Sequence, residues 1–151
     1  MKFALSKTDA TEVTFSGNLD EHTEQILFDL AAKLPRDGSI IRFFWQGVAH
    51  ANSLGIQSWV GFLEKVGKSN NTIEMHQLTE AILLIIDMMP AFYLGSKIVS
   101  CDVELACKAN HNVRQIVRVT TEEQNLGTCK KCSAPLLLPD DLKAIFANIE
   151  H

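Results

Sequence analysis

SIIRFFWQGVAHANSLGIQSWVGFLEKV, residues 39–66, reads as a buried strand, a short loop and an amphipathic helix. Residues 40–45 are apolar apart from Arg42. A strand apolar on both faces belongs inside a sheet covered on both sides, or at least well covered. After the loop, Ile56, Trp59, Val60, Leu63 and Val66 fall on one helical face, and Gly67 is where that helix should end. Ser53 stands at the mouth of the helix. A hydroxyl there suits an N-cap, a nucleophile or a phosphorylation site.

On the N-terminal side, Phe3 and Leu5, then Val13 and Phe15, alternate with smaller or polar neighbours and predict two strands. Asp20 is the expected N-cap of a helix over residues 21–34, whose stripe is Ile26, Leu27, Leu30 and Leu34. Pro35 stops it, and Asp37-Gly38 makes a turn. On the C-terminal side, residues 72–76 predict a short strand. Thr79 is placed to cap a helix over residues 80–89, closed by Pro90, and residues 97–103 are again strand-like. Helices alternating with strands predict an α/β fold: a mixed sheet, parallel through right-handed crossovers, with an antiparallel pair at the start.

The character changes near residue 100. Cysteines appear, residues 113–120 predict a strand, residues 136–138 are a short apolar run, and Asp140 is placed to cap a last helix. The expected division is residues 1–100 and residues 101–151. The apolar helix over residues 81–89, with Met88, Met89, Phe92 and Tyr93, suits either core packing or an exposed groove for a partner or a second copy.

The chain has 151 residues, 46% of them hydrophobic, with a net charge of −4 and a pI of about 5.7. That composition supports a folded core. It argues against a general nucleic-acid binder, which needs a basic face, so no nucleic-acid partner is expected. No stretch is apolar enough for a membrane span or a signal peptide. The expected location is the cytoplasm, where four cysteines are reduced thiols or metal ligands rather than disulfides.

Gly47-Val48, then Ala51-Asn52-Ser53-Leu54-Gly55-Ile56 and Trp59, resemble the segment G-V-x-x-I-[DN]-S-x-G-[IL] of the STAS domain family, named for sulfate transporters and anti-sigma-factor antagonists. Residues 15–20, FSGNLD, resemble that family's F-x-G-x-[IL]-D. The resemblance covers roughly residues 1–100 and implies a STAS-like mixed sheet with helices mainly on one face. It also implies a non-enzymatic regulatory interaction module, switched by phosphorylation at Ser53. Its partner surface would involve His50, Asn52, Ser53, Leu54 and Gly55, and its partner would be an anti-sigma-type kinase or another signalling protein. A homodimer is compatible with it. Two places depart from the pattern: Asn52 replaces the usual acidic residue, and Phe44-Trp45-Gln46 replaces Asp-Leu-Ser.

The tail resembles the cysteine-bearing extension that follows some bacterial STAS-like domains, which looks like a zinc ribbon with two C-x-x-C knuckles. Cys129-Lys130-Lys131-Cys132 keeps one knuckle. In the other, Cys107 is present but Asn110 occupies the second cysteine position. Cys107 and His111 offer C-x3-H instead, with Cys101 as the alternative fourth ligand. The competing reading of the tail is a hairpin without metal, held by Val113, Ile116, Val117 and residues 136–138. The second function class is therefore a zinc-binding structural or nucleic-acid-contacting module centred on these cysteines. An enzyme is not expected: there is no G-x-S-x-G elbow, and His50 has no carboxylate in a triad-like arrangement.

Overall fold

The computed structural model describes residues 1–120, 122 and 124–149. The chain forms β1 (Lys2–Lys7), β2 (Thr11–Leu19), α1 (Thr23–Ala31), β3 (Ile40–Ala51), α2 (Ser53–Gly67), β4 (Thr72–His76), β5 (Leu78–Thr79) and α3 (Glu80–Met88). A 3-10 turn (Pro90–Tyr93), β6 (Ser96–Ile98), β7 (Ser100–Ala106), β8 (Asn112–Arg118) and α4 (Asp140–Asn148) complete it. The first sheet has the order β1-β2-β3-β4-β6, antiparallel at β1–β2 and parallel from β2 to β6. The α/β class and the mixed sheet are as the sequence predicts, and so is the order of elements from β1 to β4.

The core of the first sheet lies on one face. Val13, Phe15, Phe43 and Trp45 are fully buried beneath α1 and α2. Trp59 packs edge-on against Trp45, with ring centroids 4.6 Å apart, and against Phe43 at 5.3 Å. Such pairs add to the burial of large rings. Trp59 Nε1 donates to the Phe92 carbonyl at 2.8 Å, so the one polar atom of that indole is satisfied inside the core. In the stripe of α2, Phe62 is buried along with Trp59, Leu63 and Val66, while Ile56 and Val60 are only half-buried.

The strand at residues 40–45 departs from expectation. It runs on to Ala51, and one of its faces is open: Arg42 and Phe44 are half-buried and Gln46 is exposed. Polar pairing makes the open face tolerable. Arg42 bonds Glu74 (Nε to Oε2, 3.1 Å) and, through its two terminal nitrogens, Asp9 at 3.0 and 3.1 Å. Phe44 stacks on the His76 ring at 5.1 Å. An apolar run of this kind mimics a doubly covered strand because a stacked Phe reads as core.

Residues 97–103 are not one strand. The chain leaves the first sheet after Ile98, and β7 starts a second sheet with the order β5-β7-β8. That sheet draws β5 from before α3, and α4 packs against α3, where Asn148 Nδ2 donates to Asp87 Oδ1 at 3.1 Å. Of the apolar helix α3, Ile82, Leu83 and Ile86 are buried, whereas Leu84 and Met88 are exposed. Three expected caps also differ. The N-cap of α1 is His22 and that of α4 is Pro139, neither with a side-chain bond. Thr79 is the N-cap of α3, but its hydroxyl donates to the Val48 carbonyl at 2.9 Å, tying α3 to β3 rather than capping it.

Candidate metal centre and the start of the second long helix

Two turns deliver four soft or borderline donors to one point. The first lies between β7 and β8. Cys107 N–H donates to the His111 carbonyl at 3.2 Å and Asn110 N–H to the Cys107 carbonyl at 2.8 Å, with Asn110 in the left-handed region at φ 55°. Asn tolerates that conformation better than most residues. The second is the knuckle at Cys129. Ser133 N–H donates to the Cys129 carbonyl and Cys129 N–H to the Ala134 carbonyl, both at 2.8 Å, with Ser133 at φ 56°. In the second turn the ligand at the third position precedes the left-handed residue. In the first the order is reversed: Asn110 takes the left-handed position and the donor moves one residue on, to His111.

The donor atoms of Cys107, His111, Cys129 and Cys132 all lie within 4.8 Å of one another. Cys107 Sγ is 3.4 Å from Cys132 Sγ and 3.6 Å from His111 Nδ1, and Cys129 Sγ is 3.5 Å from the same Nδ1. A tetrahedral ion with Zn–S of about 2.3 Å and Zn–N of about 2.0–2.1 Å spaces its ligand atoms roughly 3.5–3.8 Å apart. The residues present therefore fit a Cys3His zinc ion. Burial works against ionisation of Cys107, but the backbone N–H groups of His111 and Ala109, followed by the thiols of Cys132 and Cys129, prevail and bring its thiol down to about 6. A thiolate is the form that binds metal.

Cys101 is not part of this cluster. It is buried in β7 with its Sγ 3.9 Å from the Val117 carbonyl, and burial, followed by Asp102 and Glu80, pushes its thiol up to about 12. It is a small core residue, and His111 rather than Cys101 completes the set. Backbone bonds fasten the centre to the second sheet: Ala106 and Leu137 exchange N–H to carbonyl bonds at 2.9 and 3.4 Å, and Leu136 N–H reaches the Gly127 carbonyl at 3.0 Å.

The other region of interest is the turn from β3 into α2. Asn52 is the N-cap of α2, and its Oδ1 accepts from the Gly55 N–H at 2.9 Å. The expectation that Ser53 caps the helix is therefore corrected. Ser53 is the first helical residue and is exposed. Asn52 also donates to Glu21 Oε2 at 2.7 Å. Glu21's own backbone N–H and then Asn52 hold that carboxyl below its usual range. Asn does here what the usual acidic residue could not, since it caps the helix and donates to Glu21 at once. His50 and Leu54 are exposed beside Ser53, while Gly55 is buried. A Cβ on Gly55 would run into the Leu19 carbonyl oxygen, and one on Gly47 would meet the Phe15 carbonyl oxygen at 2.5 Å. These close approaches explain why this chain needs glycine at both places.

No family model matches the sequence, and no curated protein is similar to it. Among solved structures, that of the anti-sigma factor antagonist SpoIIAA in its unphosphorylated form is similar to this chain. The identity is 12%, the match covers 64% of this chain and 86% of that one, and the TM-score is 0.46. A likeness of this size says nothing of partners or chemistry. No helix among the described residues is long and apolar enough to cross a membrane.

Proposed function

We propose that this chain is a non-enzymatic interaction module whose C-terminal part is clamped by a structural zinc ion on Cys107, His111, Cys129 and Cys132. The observation that carries the reading is the convergence of these four donor atoms within 4.8 Å from two separate turns. Four protein ligands close the coordination sphere, the pattern of a structural ion rather than of a catalytic one, which keeps an open position. The zinc cross-links the β7–β8 turn to the knuckle at Cys129. The test is elemental analysis and native mass spectrometry of protein purified without added metal. About one equivalent of zinc is expected, and less than about a tenth of an equivalent rejects the clamp.

A second reading concerns the partner surface and rests on the exposed, uncapping hydroxyl of Ser53. In it, His50, Asn52, Ser53, Leu54 and Gly55 form the surface for a protein partner, of anti-sigma-type kinase or other signalling character as the STAS resemblance implies. Phosphorylation of Ser53 is the switch. A phosphate there gains from the helix N-terminus but adds charge beside Glu21 and across the surface a partner would cover. Capture of a partner by wild type and S53A, with loss in S53D, supports the switch. Equal capture by wild type and S53D sinks it.

A further inference from the structure

α1 and α2 lie side by side and run in the same direction. Asn52 Nδ2 donates to Glu21 Oε2 at one end of the pair, and Asn71 Nδ2 to the Pro35 carbonyl at the other, both at 2.7 Å. Between the helices runs a groove open to solvent. Buried Leu27, Phe62 and Val66 form its floor, and Phe28 and Leu54 stand on its walls, 65% and 55% exposed. Phe28 lies midway between Glu21 and Pro35, and Gly61 midway between Asn52 and Asn71. The two therefore share one level, in the middle of the groove. A Cβ on Gly61 would meet nothing within 4 Å, so there is room beside the Phe28 ring.

The two ends of the groove differ in charge. Glu21 and Glu24 line the end at the helix N-termini, and Arg36, Lys65 and Lys68 the end at the C-termini. The flanking charges preserve the difference. Residues 20–28 and 50–58 add Asp20 and no Lys or Arg. Residues 31–37 and 61–69 add Lys33, Asp37 and Glu64, none of which lines the groove. Lys33 lies over the Phe3 ring, and Asp37 accepts from the Ser39 N–H at 3.1 Å. Together these residues leave three net negative charges at one end and two net positive charges at the other. Asp29, at the middle level, accepts from Gln25 and does not line the groove, and neither does any residue of β1. Eighteen residues line it, close to the roughly 20–30 a side of a stable protein interface.

We propose that this groove seats a second copy of the chain, in an isologous dimer whose two-fold axis crosses the groove at the level of Phe28. The axis lays α1 and α2 of one copy end for end over those of the other. The two Phe28 rings then meet as an aromatic pair, Leu54 is covered, and each carboxylate end lies against a cationic end. A foreign helix of one charge sign would be opposed at one end of the groove, whereas a copy turned end for end is matched at both.

The test is sedimentation equilibrium of the full chain over a range of concentration and salt. A monomer–dimer equilibrium that weakens as salt rises is expected. Phe28→Asp, at an exposed position, should raise the dissociation constant about tenfold or more. Two charge-reversed variants then test the pairing of the ends. Glu21→Lys with Glu24→Lys makes both ends cationic, and Arg36→Glu with Lys65→Glu and Lys68→Glu makes both ends acidic. Neither variant should dimerise alone, and an equimolar mixture of the two should regain the dimer, which also shows that both are folded. A chain that stays monomeric at about 1 mM overturns the proposal. A dimer indifferent to Phe28→Asp overturns it too, as does a mixture of the two charge variants that associates no better than each alone.

Discussion

Asn52 Oδ1 accepts the Gly55 amide at 2.9 Å, and the hydroxyl beside it on Ser53 is left outside the helix cap. Removing the cap should therefore cost more than removing the hydroxyl. Asn52→Ala is expected to destabilise by about 1 kcal/mol, whereas Ser53→Ala stays within about 0.5 kcal/mol. Urea unfolding of the two variants decides it. An equal loss for both would return the capping role to Ser53.

The two interior glycines of α2 make a matched pair. A methyl on Gly55 runs into the Leu19 backbone, whereas one on Gly61 meets nothing within 4 Å. Gly55→Ala should destabilise by about 1–3 kcal/mol. Gly61→Ala should stabilise by about 0.5–1 kcal/mol, through helix propensity alone. Thermal unfolding of the two variants should shift in opposite directions.

Zinc should stabilise the folded chain by mass action. With free zinc a hundredfold above its Kd, the gain is about 2.7 kcal/mol, and a chelator in excess should abolish it. His111→Ala and Cys132→Ser should each lose bound zinc, whereas Cys101→Ala, which removes only a core thiol, should retain a full equivalent. Zinc content that follows Cys101 rather than His111 would contradict the assigned ligand set.

Acid should weaken the open face of the first sheet. Arg42 chiefly, with Thr8, holds the Asp9 carboxyl below its usual range. Burial opposes ionisation of Glu74, yet the bonds from His76 and Arg42 prevail and lower it. Both folded values lie below the unfolded ones, so their stabilisation is present above the ordinary carboxylate range and is lost as pH falls through the folded values. The urea midpoint should drop below about pH 4. Arg42→Met should show a shallower drop, and an identical pH profile would remove Arg42 from the explanation.

Alternation and helical spacing made the elements of the first sheet legible, because β2, β3, β4 and the helices beside them each bury one face in a single core. The strand at residues 40–45 was recognisable as central. Its open side was not, since that depended on Glu74 and Asp9, distant in sequence, coming to Arg42. The break at Val99 between two sheets was equally hidden. Residues 97–103 alternate like one strand, and only the pairing partners of Ile98 and Cys101 separate them.

What the sequence by itself determined about this protein is the α/β order, the serine at the start of α2 and the candidate ligands Cys107, His111, Cys129 and Cys132, all properties of local spacing. Only the tertiary structure decided that Asn52 caps α2, because Gly55 presents its amide there while Glu21 holds the other end of the same side chain. It likewise chose His111 over Cys101. A donor joins the cluster by where its atom points, and the left-handed turn at Asn110 brings His111 to the cysteines while β7 buries Cys101 in the core.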